Sequence, residues 1–219
     1  RVKEIINKDD MIYGTIGIHP HEADKNKISS KFIVDNLKEN KKIIGIGETG
    51  LDFYYDNCDR KKQLDSFRIH IEASLETKVP LIIHSRDAED ETFKILDEYK
   101  DNNLKILMHC FTGSKKALFD YLDLDLYIGI TGWICDERRG SDLQKIVKNI
   151  PLNRLMVETD APYLIPRNMP SIPKNKLNQP AYLPYVIEGI ANCRDETKDL
   201  IATATTATAE WFFDLKEID

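Results

Sequence analysis

His19, Glu48, His84, His109 and Asp160 each stand at or just beyond the end of a short aliphatic or β-branched run. Imidazoles and carboxylates are the side chains that hold divalent cations and exchange protons near neutral pH. Two imidazoles, His84 and His109, with two carboxylates, Glu48 and Asp160, form a donor set for one or two such cations. Coordination positions remain for water and substrate. A lone histidine at a strand end is ordinarily a satisfied structural group. Several suitable residues at equivalent positions point instead to metal binding at one shared pocket.

The elements that must position these residues follow from the runs themselves. Run 12–18 ends at His19, 43–47 at Glu48, 81–83 at His84 and 106–108 at His109. Run 126–130 leads to Thr131 and Trp133, and run 155–157 leads through Glu158 and Thr159 to Asp160. Helical patterns separate most of them. The clearest spans 60–78, where Leu64, Phe67, Ile71 and Leu75 recur at helical spacing as a stripe for packing on a sheet. Other helices are expected over 1–9, 32–39 (capped near Ser29 or Ser30), 90–99, 115–122, 142–149, 183–192 and 196–213. The small residues of 203–209 suggest a buried helix. Strand–helix units whose strands end in chemistry describe a TIM-type (β/α) barrel with its site at the C-terminal rim. A closed barrel has eight strands, and six are legible. The sequence therefore suggests a single domain over 1–219, a barrel lacking its first two strand–helix units, because an open edge of a buried parallel sheet exposes unpaired backbone.

A net charge of −6 argues against a broad cationic surface for duplex nucleic acid. A small anion-recognising cleft remains compatible, since a bound metal supplies positive charge locally. No apolar run approaches the ~20 residues of a membrane span. Cys58, Cys110, Cys135 and Cys193 lack CxxC spacing and read as reduced thiols of an intracellular protein, cytoplasmic or nuclear. Cys110 follows His109 directly, but a small core residue is its simpler role. The chain starts at Arg1 rather than Met, which leaves an N-terminal targeting segment open.

Longer motifs surround the candidate residues. They are Gly17-Ile18-His19-Pro20-His21, Gly47-Glu48-Thr49-Gly50-Leu51-Asp52, Ile83-His84-Ser85-Arg86, His109-Cys110-Phe111-Thr112-Gly113 and Glu158-Thr159-Asp160-Ala161-Pro162-Tyr163. Together, in order and across the chain, they resemble the TatD family of metal-dependent deoxyribonucleases. Segment 127–140 is similar to TatD proper. The resemblance implies an amidohydrolase-type barrel hydrolysing DNA phosphodiesters from the 3′ end, with single-stranded DNA or short oligonucleotides as substrate. It implies Mg²⁺, with Mn²⁺ or Zn²⁺ as alternatives, and neither a membrane nor an obligate protein partner. By position, Glu48, His84, His109 and Asp160 become the metal-site residues, and His19 a catalytic or phosphate-contacting residue. Many family members carry a His-x-His pair on a first strand that this chain lacks. Thr208 stands where the family often has Asn, a change expected to affect packing rather than chemistry.

On this reading Glu48 holds or bridges metal, while Asp160 both ligates and takes a proton from the attacking water. His19 donates to a phosphate oxygen or the leaving group. Arg86 is a candidate phosphate clamp, against a salt bridge within the barrel. Trp133 with Arg138 and Arg139 suits base stacking with cationic support, against a buried loop anchor. Asp52 is a candidate acceptor orienting a metal-binding histidine, or a loop cap. His21 reads as a solvent-side or structural group more than a support for His19, and His70 as a helix residue with an ordinary partner. Two rivals stand beside the nuclease: a hydrolase of amides or esters, and a non-catalytic binding or scaffold protein.

Overall fold

In the computed structural model, residues 2–26, 28–55 and 57–215 are described, and the chain forms two compact units, Arg1–Met108 and His109–Asp219. The first contains four parallel strands in chain order, β1 (Gly14–Ile16), β2 (Ile43–Asp52), β3 (Leu81–Arg86) and β4 (Ile106–Met108). α1 (Val2–Ile6) precedes β1, and α2 (Ser30–Glu39), α3 (Arg60–Thr77) and α4 (Glu89–Asp97) fill the three crossovers. The α2 start is set by Ser29, whose hydroxyl accepts from the Phe32 amide at 3.2 Å.

β1 is shorter than its apolar run because the Ile12 amide is already spent on Asp9 O at 3.2 Å in a preceding turn. β2 and β3 are longer. Their pairing continues through Gly50↔His84 to Asp52↔Arg86, so Glu48 and His84 lie inside strands rather than at their ends. Between Ile46 and Thr49 the register shifts, which places Glu48 in an irregularity of β2, a device that re-aims a side chain.

Ile33, Ile46, Leu51, Phe67, Ile71, Leu81 and Ile83 form this unit's core, all fully buried. The α3 stripe differs from the sequence expectation. Phe67 and Ile71 are buried, but Leu64 and Leu75 are only half-buried, and Gln63, Ser66, His70 and Ser74 share the inner face. Buried polar residues are tolerated when paired, as Gln63, His70 and Ser74 are, whereas Ser66 Oγ has no partner among the described residues. Gln63 Oε1 accepts from Asp52 N at 2.8 Å, and its Nε2 donates to Asp52 O at 3.1 Å and Cys58 O at 3.2 Å. Gln63→Leu strands those backbone groups. It should cost about 2–4 kcal/mol, at the upper end of what unpaired buried groups forfeit, read as a lower thermal midpoint.

In the second unit β5 (Tyr127–Ile130) and β6 (Leu155–Val157) pair in parallel, with Ile128 opposite Leu155 and Ile130 opposite Val157. α5 (Lys115–Asp123) and α6 (Ser141–Ile146) precede β6, and α7 (Leu183–Ala191) and α8 (Lys198–Phe213) follow it. Leu118, Tyr121, Ile128, Ile130, Leu155, Val186, Ile190, Ile201 and Phe212 form its core. α8 is not buried all round as its small residues suggest: Thr205 and Thr208 face inward, while Thr203, Thr206 and Ala207 are exposed. The inward hydroxyls donate to backbone carbonyls of their own helix, and Thr208 also reaches Leu152 O at 3.2 Å, a packing role. All four cysteines are free, and no helix among the described residues is long and apolar enough to cross a membrane.

Candidate functional site

Two groups of potential metal ligands form, one in each unit: His19 with Glu48 and His84, and His109 with Cys110 and Asp160. Within each, the ligand atoms lie within 4.8 Å of one another.

The first group depends on a close backbone approach. A Cβ on Gly17 would fall 2.6 Å from Gly47 Cα, so the chain leaving β1 reaches the irregular part of β2 only because Gly17 has no side chain, while Gly47, with a φ of 146°, in turn lies against Ile82 of β3. That approach sets His19 Nε2 3.7 Å from Glu48 Oε1. His84, from β3, places Nδ1 3.0 Å from the same carboxylate oxygen and Nε2 3.0 Å from Asp52 Oδ2. Asp52, only 1% exposed, is the hub. Its Oδ2 also pairs with His21 Nε2 at 2.8 Å, and its Oδ1 accepts the Tyr54 and Tyr55 amides at 3.1 and 3.2 Å.

These contacts decide the charges. Burial opposes ionisation of Asp52, yet hydrogen bonds from His84, the Tyr55 amide and His21 outweigh it and hold the carboxyl well below its usual range. Burial is likewise the largest single influence on His84, acting against its charge. The Asp52 and Glu48 carboxylates overcome it and raise the imidazole above its ordinary value. One ring nitrogen thus faces Glu48 and the other Asp52, which places the His84 imidazole between two carboxylates. His19 is shifted the other way, chiefly by burial, with Glu48 opposing. Its Nδ1 accepts from the His21 amide at 3.2 Å, so the neutral ring carries its proton on Nε2. His70 braces this segment from α3: Nε2 accepts from Ile18 N at 3.0 Å and Nδ1 donates to Ser66 O at 2.7 Å. It is neutral, its pKa lowered by burial, and it has the ordinary partners expected of it. His19 also walls a cleft of about 500 Å³ lined by Ile16, Ile18, Ile28 and Phe32.

In the second group His109 Nδ1 pairs with Glu158 Oε2, and Glu158 Oε1 accepts from Cys110 N at 3.1 Å. His109 Nε2 is left 3.5 Å from Asp160 Oδ1. Cys110 and Asp160 both adopt left-handed backbone, with φ of 47° and 58°. Such conformations cost roughly 1–2 kcal/mol each and concentrate at functional sites. Burial pushes the Cys110 thiol up to about 12, and Sγ lies 3.3 Å from Thr131 Oγ1.

The structure gives the remaining candidates specific partners. The Arg86 guanidinium lies over the exposed Tyr54 ring at 4.0 Å and near Tyr55 at 5.0 Å, and it has no ion-pair partner among the described residues. Trp133 donates its indole N–H to Arg139 O at 3.2 Å, and Arg138 is bound to Asp136. His21 is more than a solvent-side group: its ring meets those of His19 at 4.4 Å and Tyr55 at 5.3 Å, both edge-on. Glu158, Tyr54 and Tyr55 were passed over in the sequence.

The chain matches the family model "TatD related DNase" over residues 1–214. It belongs to the TatD-related DNase family. A TatD relative from Salmonella typhimurium, described as a 3′-5′ ssDNA/RNA exonuclease, is 37% identical over 203 residues, 93% of this chain and 78% of the relative. A TatD homologue from Escherichia coli K12 shares the fold with a TM-score of 0.89 at 24% identity, over 99% of this chain and 82% of that one. A TatD-family hydrolase from Entamoeba histolytica gives 0.84 at 21% identity, over 96% and 79%. The TIM-type barrel fold expected from the strand–helix alternation, of the hydrolase type that the resemblance implied, is therefore that of this chain, and TatD family membership implies a divalent metal.

Proposed function

We propose that this chain is a metal-dependent nuclease that hydrolyses single-stranded DNA, and short oligonucleotides, from the 3′ end. Glu48 and His84 in one group, and His109 and Asp160 in the other, are its metal-binding residues. The observation that carries this is the pairing of imidazoles with carboxylates in both groups, within a TatD family chain. The donors fit a cation: Glu48 lies 3.0 Å from His84 Nδ1, and Asp52 stands behind the same ring at 3.0 Å from Nε2, the acceptor that holds a metal-binding imidazole in place. Imidazole nitrogens suit Zn²⁺, while the carboxylate oxygens, with positions open to water, suit Mg²⁺ or Mn²⁺. When bound, a divalent cation offsets phosphate charge and makes water more acidic.

The side chains supply the rest. Asp160 takes the proton of the attacking water on a carboxylate oxygen. His19, neutral with its proton on Nε2, donates to a phosphate oxygen or to the departing oxygen. Glu48 concentrates negative charge where cations are needed. Asp52 fixes the ring of His84 by its second nitrogen, the arrangement that orients metal-binding histidines. Arg86, Trp133 and Arg138 are the proposed contacts to substrate.

The test is release of mononucleotides from 3′-labelled single-stranded DNA with Mg²⁺ or Mn²⁺. Release should stop on EDTA addition and return with excess metal. Metal-dependent cleavage of an amide or ester without any nucleotide release would replace this reading with another hydrolase.

A further inference from the structure

The loop after β5 is built around one buried carboxylate. Asp136 is 2% exposed, and Arg138 already satisfies it bidentately, Nε to Oδ1 at 3.3 Å and one terminal amino group to Oδ2 at 3.2 Å. Two more guanidinium groups nevertheless converge on Oδ2, Arg139 Nε at 3.0 Å and Arg167 Nε at 3.1 Å. The hydrogen bonds from Arg138, against the opposing effect of burial and with help from Arg139, hold the Asp136 carboxyl below its usual range. A single bidentate arginine completes a carboxylate pair. Additional guanidinium groups repel one another and lose the benefit of an unshared anion.

These cations are not buried with their partner. Side-chain exposures are 66% for Arg138, 49% for Arg139 and 51% for Arg167. Among the described residues, the terminal amino groups of Arg139 and Arg167 have no other hydrogen-bond partner. Glu137 is the neighbouring acid, and even counting it the group keeps an excess of positive charge in a chain whose net charge is −6.

The backbone holds this arrangement in place. A Cβ on Gly132 would fall 2.0 Å from Leu164 O, so the segment leading to Arg167 lies directly on Gly132. The Arg139 guanidinium sits over the Trp133 ring at 4.3 Å. The Trp133 amide donates to Thr131 Oγ1 at 3.4 Å, and that oxygen is the one beside Cys110 Sγ. The loop that carries the cationic group is thus tied through Thr131 to Cys110, the residue after His109.

We propose that Arg138, Arg139 and Arg167, locked around Asp136 beside Trp133, form a subsite for the backbone phosphates of a single-stranded polynucleotide. This deepens, and rests on, the nucleic-acid reading above. Asp136 acts as a positioning residue that aims the guanidinium groups, and Trp133 offers a ring for a base.

The experiment is fluorescence anisotropy of 5′-labelled oligo-dT and oligo-dA with the intact chain in EDTA, where nothing is cleaved, at several salt concentrations. Arg138→Ala, Arg139→Ala and Arg167→Ala should each weaken binding several-fold, equally for both sequences. Each should also flatten the log–log salt dependence by about 0.7, the value of one lost phosphate contact on a single strand. Arg139→Lys keeps the charge and should keep the slope, and glutamine, longer than alanine but neutral, replaces any alanine that fails to fold. Folded alanine variants with wild-type affinity and slope overturn the subsite and leave the nuclease reading standing. A wild-type chain that binds with the expected slope but releases no mononucleotide overturns the nuclease reading and sustains the subsite.

Discussion

Asp160→Asn is expected to lower turnover of single-stranded DNA by about 10²–10⁴-fold, the range attributable to a positioned proton acceptor, with further loss through weaker metal binding. The substitution is chosen for what it preserves. Asp160 has a φ of 58°, a region that asparagine enters readily, so the backbone conformation survives. Its side chain is 30% exposed, so little packing is disturbed. An amide neither takes a proton at neutral pH nor carries the charge that a cation needs beside His109. The check is steady-state nucleotide release together with a thermal unfolding curve. Loss of turnover with an unmoved midpoint supports the assignment, and undiminished turnover removes Asp160 from proton transfer.

How much of this was legible in the sequence follows from the range of the interactions. The strands were legible because β-branched runs bounded by polar residues have few other uses, and β4 and β6 fall where those runs do. His19, Glu48 and His84 were legible by type and by position after such runs. Asp52 was visible only as one of several options, since its partners His21 and His84 lie 31 and 32 residues away. Its role also depends on β2 continuing past Glu48, which the pairing with β3 decides and the local pattern does not. The same extension sets Arg86 opposite Asp52 in the register, and its guanidinium lies over the Tyr54 ring, a contact that local pattern does not encode. Helical periodicity counts apolar positions alone, so it missed that α3 buries Gln63 and His70 to support the residues around the ligands. Arg167 meets Asp136 through the path of an irregular loop, which no repeat in the sequence encodes.

Asp52→Asn should weaken divalent metal binding by about 10–100-fold, the usual consequence of losing the carboxylate behind a metal-binding histidine. Its shape is kept: the amide oxygen still accepts the Tyr54 and Tyr55 amides, but an NH₂ group facing His84 Nε2 and His21 Nε2 accepts nothing from them. The pH dependence separates this from a general loosening. In the wild type the His84 pKa is raised, against burial, by Asp52 and Glu48, so its contribution to metal-free stability is complete below the ordinary value of 6.5 and is lost as pH rises through the folded value. Asp52, with a lowered pKa, contributes above its ordinary 3.8 and loses that contribution as pH falls through the folded value. The metal-free chain is therefore best stabilised by this pair between about pH 4 and 6.5. Metal binding has the opposite slope at the upper edge, because a cation displaces the proton from His84 and its affinity grows as pH climbs through the raised value. Removing the Asp52 charge lowers the His84 pKa, so in the variant the rise in affinity begins at lower pH even though its plateau is weaker. Calorimetric titration with Mn²⁺ across pH 5.5–8.5, alongside thermal unfolding in EDTA, reads both effects. A weaker plateau whose pH midpoint does not move would mean that Asp52 only supports the fold and does not act through His84.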